Sequence, residues 1–273
     1  MNPSEPWDTK MARAEEHIAE LEAAVQQYMD DAQPKLAWTI DEPDGCYAAR
    51  LTVPFDPPAR LGAIVGDVVH SLRSALEARM FRILSERATT TSLPKPPKPR
   101  RYAYPVEESR AELEAGDWHQ GLGDKGLFDV LEVSQPFAYL DDGSEPVSDS
   151  YRKESIAMHP LTVLHKSWNF DKHNAIHVAL CAVHSAWLEK PEGVEIDYLL
   201  GDPPPWSDGG VFMRARVTAG DPKDVLTSGG KVVVALAEEL GDPSAGYRPT
   251  EVVGRMRILQ AHVYEALARL RGF

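Results

Sequence analysis

The chain is poor in cysteine. Only Cys46 and Cys181 occur in 273 residues, and neither stands in a C-x-x-C pair. Two cysteines cannot build a zinc ribbon or a disulfide framework, so a reduced, cytoplasmic protein is expected. No apolar run approaches the roughly 20 residues of a membrane span. The first residues, Met1-Asn2-Pro3-Ser4-Glu5-Pro6, lack the basic start and apolar stretch of a secretory leader. Positive charge is also scarce. Lys and Arg number 29 against 42 Asp and Glu, a formal net charge of −13. That field repels nucleic acid and anionic membrane overall, so any RNA contact needs a local patch. No membrane partner is expected. No G-x-S-x-G elbow and no P-loop are present, which leaves hydrolase and nucleotide-kinase readings without support.

What is present reads as an α+β chain. Residues 9–31 predict a helix, with Met11, Ala14, Ile18, Leu21, Val25 and Tyr28 at three- and four-residue spacing. Residues 36–40 and 46–53 predict two strands around the turn Pro43-Asp44-Gly45. Residues 59–87 predict the clearest helix, its apolar face formed by Val65, Val68, Val69, Leu72, Leu76, Met80 and Ile83. On its flank Gly62, Gly66, His70, Arg73 and Glu77 line up, and the two glycines permit close approach of another backbone. A short helix is expected over 107–115. Helix is expected over 154–188, broken near Trp168-Asn169, with Asn169 or Asp171 as the cap of its second piece. Strands are expected over 194–200, 211–218 and 231–236, and a last helix over 249–271. The elements do not alternate regularly, so the expected fold is a bundle of about four long helices packed with an antiparallel sheet. The sheet joins the hairpin at 36–53 to the strands between 194 and 236. A single domain, 1–273, is expected: 9–190 mainly helical with the hairpin at 36–53, 191–248 mainly strands, 249–273 the C-terminal helix.

Two loop features carry less. Gly121, Gly123 and Gly126 spell G-x-G-x-x-G, but without a strand before them they are no dinucleotide fingerprint. Lys95, Lys98, Arg100 and Arg101 form the only dense basic cluster, in a Pro-rich stretch that reads as a stiff exposed loop or as a contact for RNA or an acidic partner.

Chemistry concentrates in two polar stripes. The first is His70, Arg73 and Glu77. Arg and Glu at i and i+4 form an intrahelical pair; alternatively the Arg clamps a phosphate while His or Glu moves a proton. The second is Asn169-Phe170-Asp171-Lys172-His173-Asn174, continuing to His177 and His184. On a helix His173, His177 and His184 fall within about 40° of one another. His173 and His177, one turn apart, can share zinc or another divalent metal, with Asp171 adding an oxygen and His70, His159 or His165 a third nitrogen. With Asp171 as N-cap, the helix dipole keeps His173 neutral, as suits a base or a ligand. Packed, hydrogen-bonded histidines are the commoner outcome of such spacing, and no cofactor is the default.

Four segments carry a resemblance: Val65-Gly66-Asp67-Val68-Val69-His70-Ser71-Leu72-Arg73-Ser74-Ala75-Leu76-Glu77, Tyr104-Pro105-Val106, Gln135-Pro136-Phe137 and Asn169 to Asn174. Together they resemble uncharacterised bacterial proteins, frequent in actinobacteria, with signatures near GDxxHNLRSALDH, FPI, QPY and DKHR. Those signatures are similar to the R-x4-H helix motif of HEPN ribonucleases, in which Arg and His from two protomers cleave RNA without metal. Arg73 matches the Arg, whereas Ala78 stands where the His is expected and Glu77 where Asp is expected. The resemblance implies a helical core, a homodimer, a role in stress or phage defence, and an RNA or protein partner. Catalysis would require His70 or His173 in place of the missing base.

Overall fold

The computed structural model describes residues 5–41, 46–90, 103–116, 124–140, 148–172, 176–188, 195–199, 211–219, 229–239 and 251–273. The Lys95–Arg101 cluster, Gly121, Gly123 and His173 lie outside them. The fold is α+β. Helix α1 (Pro6–Ala32) starts three residues before the expected position because Pro6 supplies a pre-set first helical residue. The Glu5 N–H donates to Asp8 Oδ2 at 3.2 Å across that first turn. The helix ends at Gln33, whose φ of 41° places it in the left-handed region, and Pro34 follows. Met11, Ala14, Ile18, Leu21 and Tyr28 are its buried stripe.

Strands β1 (Lys35–Asp41) and β2 (Cys46–Thr52) pair antiparallel in register Leu36 to Leu51 and Asp41 to Cys46. Helix α2 (Ala59–Thr90) is the axis of the molecule and packs against α1, α6 (Pro160–Asp171) and α7 (Val252–Arg269). Between Leu61 and Leu84 only Ala63, Asp67, His70, Phe81 and Arg82 are exposed. A helix wrapped this fully needs apolar or small residues almost all round, which α2 has.

Short helices follow. Ser109 Oγ accepts the Glu112 N–H to open α3 (Arg110–Ala115). Asp124 Oδ1 accepts the Leu127 N–H at 2.8 Å to open α4 (Lys125–Glu132), which takes Gly126 out of the expected loop and into a helix. Ser148 opens α5 (Asp149–Met158).

Among the described residues the sheet has six strands in the order β3-β6-β1-β2-β5-β4, every neighbouring pair antiparallel. Strands β4 (Glu195–Leu199), β5 (Val211–Ala219) and β6 (Gly229–Glu239) match the expected segments and flank the hairpin as expected.

The expected helix over 154–188 is a correction. It divides into α5, α6 and a strand, β3 (His177–Leu188). The run from Val178 to Val183 is apolar at every position, so periodicity cannot separate a buried helix from a strand. Tertiary pairing decides it: β3 aligns with Val232, Val233 and Val234 of β6, whose β-branched side chains favour a pleated neighbour. Strand β3 therefore adds a third strand to the mainly helical stretch 9–190, beside the hairpin. The long helices are α1, α2 and α7, of 27, 32 and 18 residues; the fourth is two shorter ones. The core lies between the helices, and Val53, Ile176 and Val178 join it from the sheet side.

Candidate functional site

Helices α2 and α6 cross where the two polar stripes of the sequence were read. Arg73 faces inward from α2 and is 3% exposed. Its Nε donates to Glu77 Oε1 at 3.2 Å, one turn along the same helix. Its Nη2 donates to the Tyr104 carbonyl at 2.7 Å. Its Nη1 is buried with no hydrogen-bond partner among the described residues. The guanidinium carbon lies 5.2 Å from the centre of the Trp168 ring on α6. Burial pulls the Arg73 pKa down, and the Glu77 carboxylate opposes that shift. A guanidinium stays protonated through such a change.

Lys172 stands at the C-cap of α6, where a cation complements the helix dipole. Its Nζ lies 2.9 Å from the Trp168 ring centre, so one indole meets two cations. His165, one turn before Asn169, sits 2.9 Å from it through Nε2. With the amide Nδ2 as donor, Nε2 accepts and the proton resides on Nδ1, which is buried without a partner among the described residues. Burial, then Arg73, Lys172 and Lys166, hold the His165 pKa down to about 4.

His70 and Asp171 form a second, more exposed group. The Asp171 carboxylate packs onto the backbone of α2 at Gly66; a Cβ there would lie 2.6 Å from Asp171 Oδ1. Gly66 thus allows a close approach, as its place on the flank suggests, although a side chain and not a backbone comes near. Burial and then Asp67 raise the Asp171 pKa, while His70 lowers it. His70 is exposed, with Nε2 3.4 Å from Ser74 Oγ.

Several sequence expectations change here. Asn169 and Asp171 lie in the last turn of α6 and cap no following helix; α6 is capped at its start by His159, whose Nδ1 accepts the Leu161 N–H at 3.3 Å. The dipole argument for a neutral His173 loses its basis. His177 opens β3 opposite Glu239, so it does not stand one helical turn after His173, and the spacing argument for a shared metal falls. Among the described residues no three His, Cys, Asp or Glu side chains are grouped to hold a metal ion. Trp168 and Tyr104, which hold Arg73, stand outside the two polar stripes of the sequence. Only the Tyr104-Pro105-Val106 segment gave a signal; a contact made across α2 and α6 leaves no local pattern.

Chemically, the inner group is cationic, and Arg73 Nη1, His165 Nδ1 and Trp168 Nε1 are buried in it without a hydrogen-bond partner among the described residues. The outer group places an imidazole near two carboxylates, and among the described residues no accessible guanidinium joins them. Among the described residues no helix is long and apolar enough to cross a membrane. Compared with protein-family models, curated proteins and solved structures, the chain matches none.

Proposed function

We propose that this chain is a HEPN-like binding or structural protein that performs no catalysis at the Arg73 junction. The observation that carries the reading is the burial of Arg73. A phosphate-clamping arginine must present its fork to a ligand, whereas this one is 3% exposed and bonded to Glu77 and the Tyr104 carbonyl. Its role in this reading is to tie α2, α6 and the Tyr104 segment together. The net charge of −13 favours a protein partner, a second copy of the chain included, over RNA.

The test is incubation of a labelled RNA pool with the full chain, with and without EDTA, beside an identically purified Arg73→Ala variant. No cleavage is expected from either protein. The variant should be less stable in urea by about 3 kcal/mol, the scale for removing one partner of a buried charged hydrogen-bond set. EDTA-resistant cleavage that disappears in a folded Arg73→Ala protein would overturn the proposal in favour of a metal-independent ribonuclease, with His70 or His173 as base. Cleavage that needs added zinc and His177 would favour the metal enzyme instead.

A further inference from the structure

A cavity of about 370 Å³ opens between the turn after α4, the junction of α5 with α6, and α7. Two imidazoles line it, His159 and His262, with ring centres 5.8 Å apart and planes at 81°. Their other ring atoms determine where their protons sit. His159 Nδ1 accepts the Leu161 N–H, so it carries no hydrogen. Burial, followed by the neighbouring His262, holds the His159 pKa down to about 4. The ring is neutral at pH 7, and its single proton is on Nε2. His262 Nδ1 lies 3.0 Å from the Ile258 carbonyl. A carbonyl only accepts, so this nitrogen bears the hydrogen and a neutral His262 has a lone pair on Nε2. The two rings therefore carry opposite tautomers, one with an N–H to give and one with a nitrogen to receive.

The other polar groups of the wall are already used. Arg269 donates Nη1 to the Val133 carbonyl at 2.7 Å and Nη2 to Glu265. Ser134 Oγ donates to the Leu131 carbonyl and shares a hydrogen bond with the Tyr104 hydroxyl. The Arg269–Glu265 pair cancels its own charge, so the wall is close to neutral and offers no net attraction to a free anion or cation. Leu161 and Ala266 line the cavity but are themselves buried in the core. The cavity lies within the size range of small-molecule sites, about 300–1,000 Å³.

From this arrangement we infer that the cavity binds a neutral, planar small molecule with an adjacent acceptor and donor on one edge, as in a nucleobase or a carboxamide. The acceptor meets His159 Nε2–H and the donor meets His262 Nε2. A donor on one ring and an acceptor on the other read hydrogen-bond polarity, so the site is a recognition site. It stands independently of the Arg73 junction, whose test is RNA cleavage and not ligand binding.

The test is long-range imidazole ¹H–¹⁵N spectroscopy on the full chain at pH 7, free and titrated with adenosine, nicotinamide or inorganic phosphate. In the free protein His159 is expected as the Nε2–H tautomer and His262 as the Nδ1–H tautomer. Adenosine, nicotinamide or both should shift the two rings together at about 1 mM, and phosphate should not. Response to adenosine alone assigns a nucleobase, and to nicotinamide alone a carboxamide. His262→Phe keeps a ring on a half-buried position and removes the acceptor, so it should weaken binding about tenfold with an unchanged unfolding midpoint. Reversed tautomers, a shift with phosphate, no shift with either organic probe, or undiminished affinity in His262→Phe would each overturn the inference.

Discussion

His159 shows how one side chain ties a local structural role to pH. Its Nδ1 must stay unprotonated to accept the Leu161 N–H, and its folded pKa is about 4 against an ordinary 6.5. Below pH 6.5 the unfolded chain takes up a proton that the folded chain refuses until about pH 4. The unfolded state then binds more protons, so stability is lost as pH falls through that window. His165, also held at about 4, acts in the same direction. In His159→Asn an amide caps α6 without titrating. Urea midpoints measured from pH 7 to 4 are expected to fall less steeply in this variant than in the parent, with little difference at pH 7. Parallel slopes would show that His159 does not titrate in that window. At this scale the sequence was partly legible. The Arg73–Glu77 pair follows from i, i+4 spacing alone. The stacking of Arg73 on Trp168 and the hold of Tyr104 on Arg73 do not, because they join residues far apart in the chain.

Among the elements, the crossing of α2 and α6 depends on Gly66. Replacing it with Ala has two opposed effects. The helix gains about 1 kcal/mol in propensity, and the new methyl meets Asp171 Oδ1 at 2.6 Å, so the carboxylate must move. The two substitutions Gly66→Ala and Asp171→Ala should therefore be coupled. Gly66→Ala is expected to be more favourable by about 1 kcal/mol in the Asp171→Ala background than in the parent, measured as a double-mutant cycle in urea. Additive effects would mean that the close approach carries no energy. Periodicity made α1, α2 and α7 legible, since each buries one long stripe. It failed between Glu154 and Leu188 for two reasons. The short α6 takes its cap from a histidine, which is no standard start signal, and the uniformly apolar β3 has no period to read. The short α4 passed unread for a related reason: its N-cap Asp124 and its Gly126 fell inside a glycine-rich string that reads as a loop.

For the whole molecule, charge is the most general lever. Ion pairs join the helices, Arg257 with Glu15 and Glu22, Arg60 with Glu20, and Arg82 with Glu5. Their side chains are largely solvent-accessible, and such pairs contribute about 0–1 kcal/mol each. Against them stands the self-repulsion of a net charge of −13. Salt screens both. The melting temperature is expected to rise between low salt and about 0.5 M NaCl, because the repulsion removed exceeds the pairing lost; a fall would give the ion pairs the larger share. The placement of the sheet was legible at this scale, since strands that cannot bury a face alone must join the early hairpin. The sixth strand was not.

The strand order has a consequence for synthesis. The β1–β2 hairpin is complete once residue 52 is made, yet its two edges are closed by β6 on one side and β5 on the other. A nascent chain therefore carries a hairpin with both rows of backbone groups open until residues 211–239 have left the ribosome. Open edges invite pairing with other chains, and contacts this distant in sequence form slowly. A chain cut before residue 211 would carry a first hairpin without either of its neighbouring strands, and such fragments are expected to enter the insoluble fraction more than the chain that extends through residue 273.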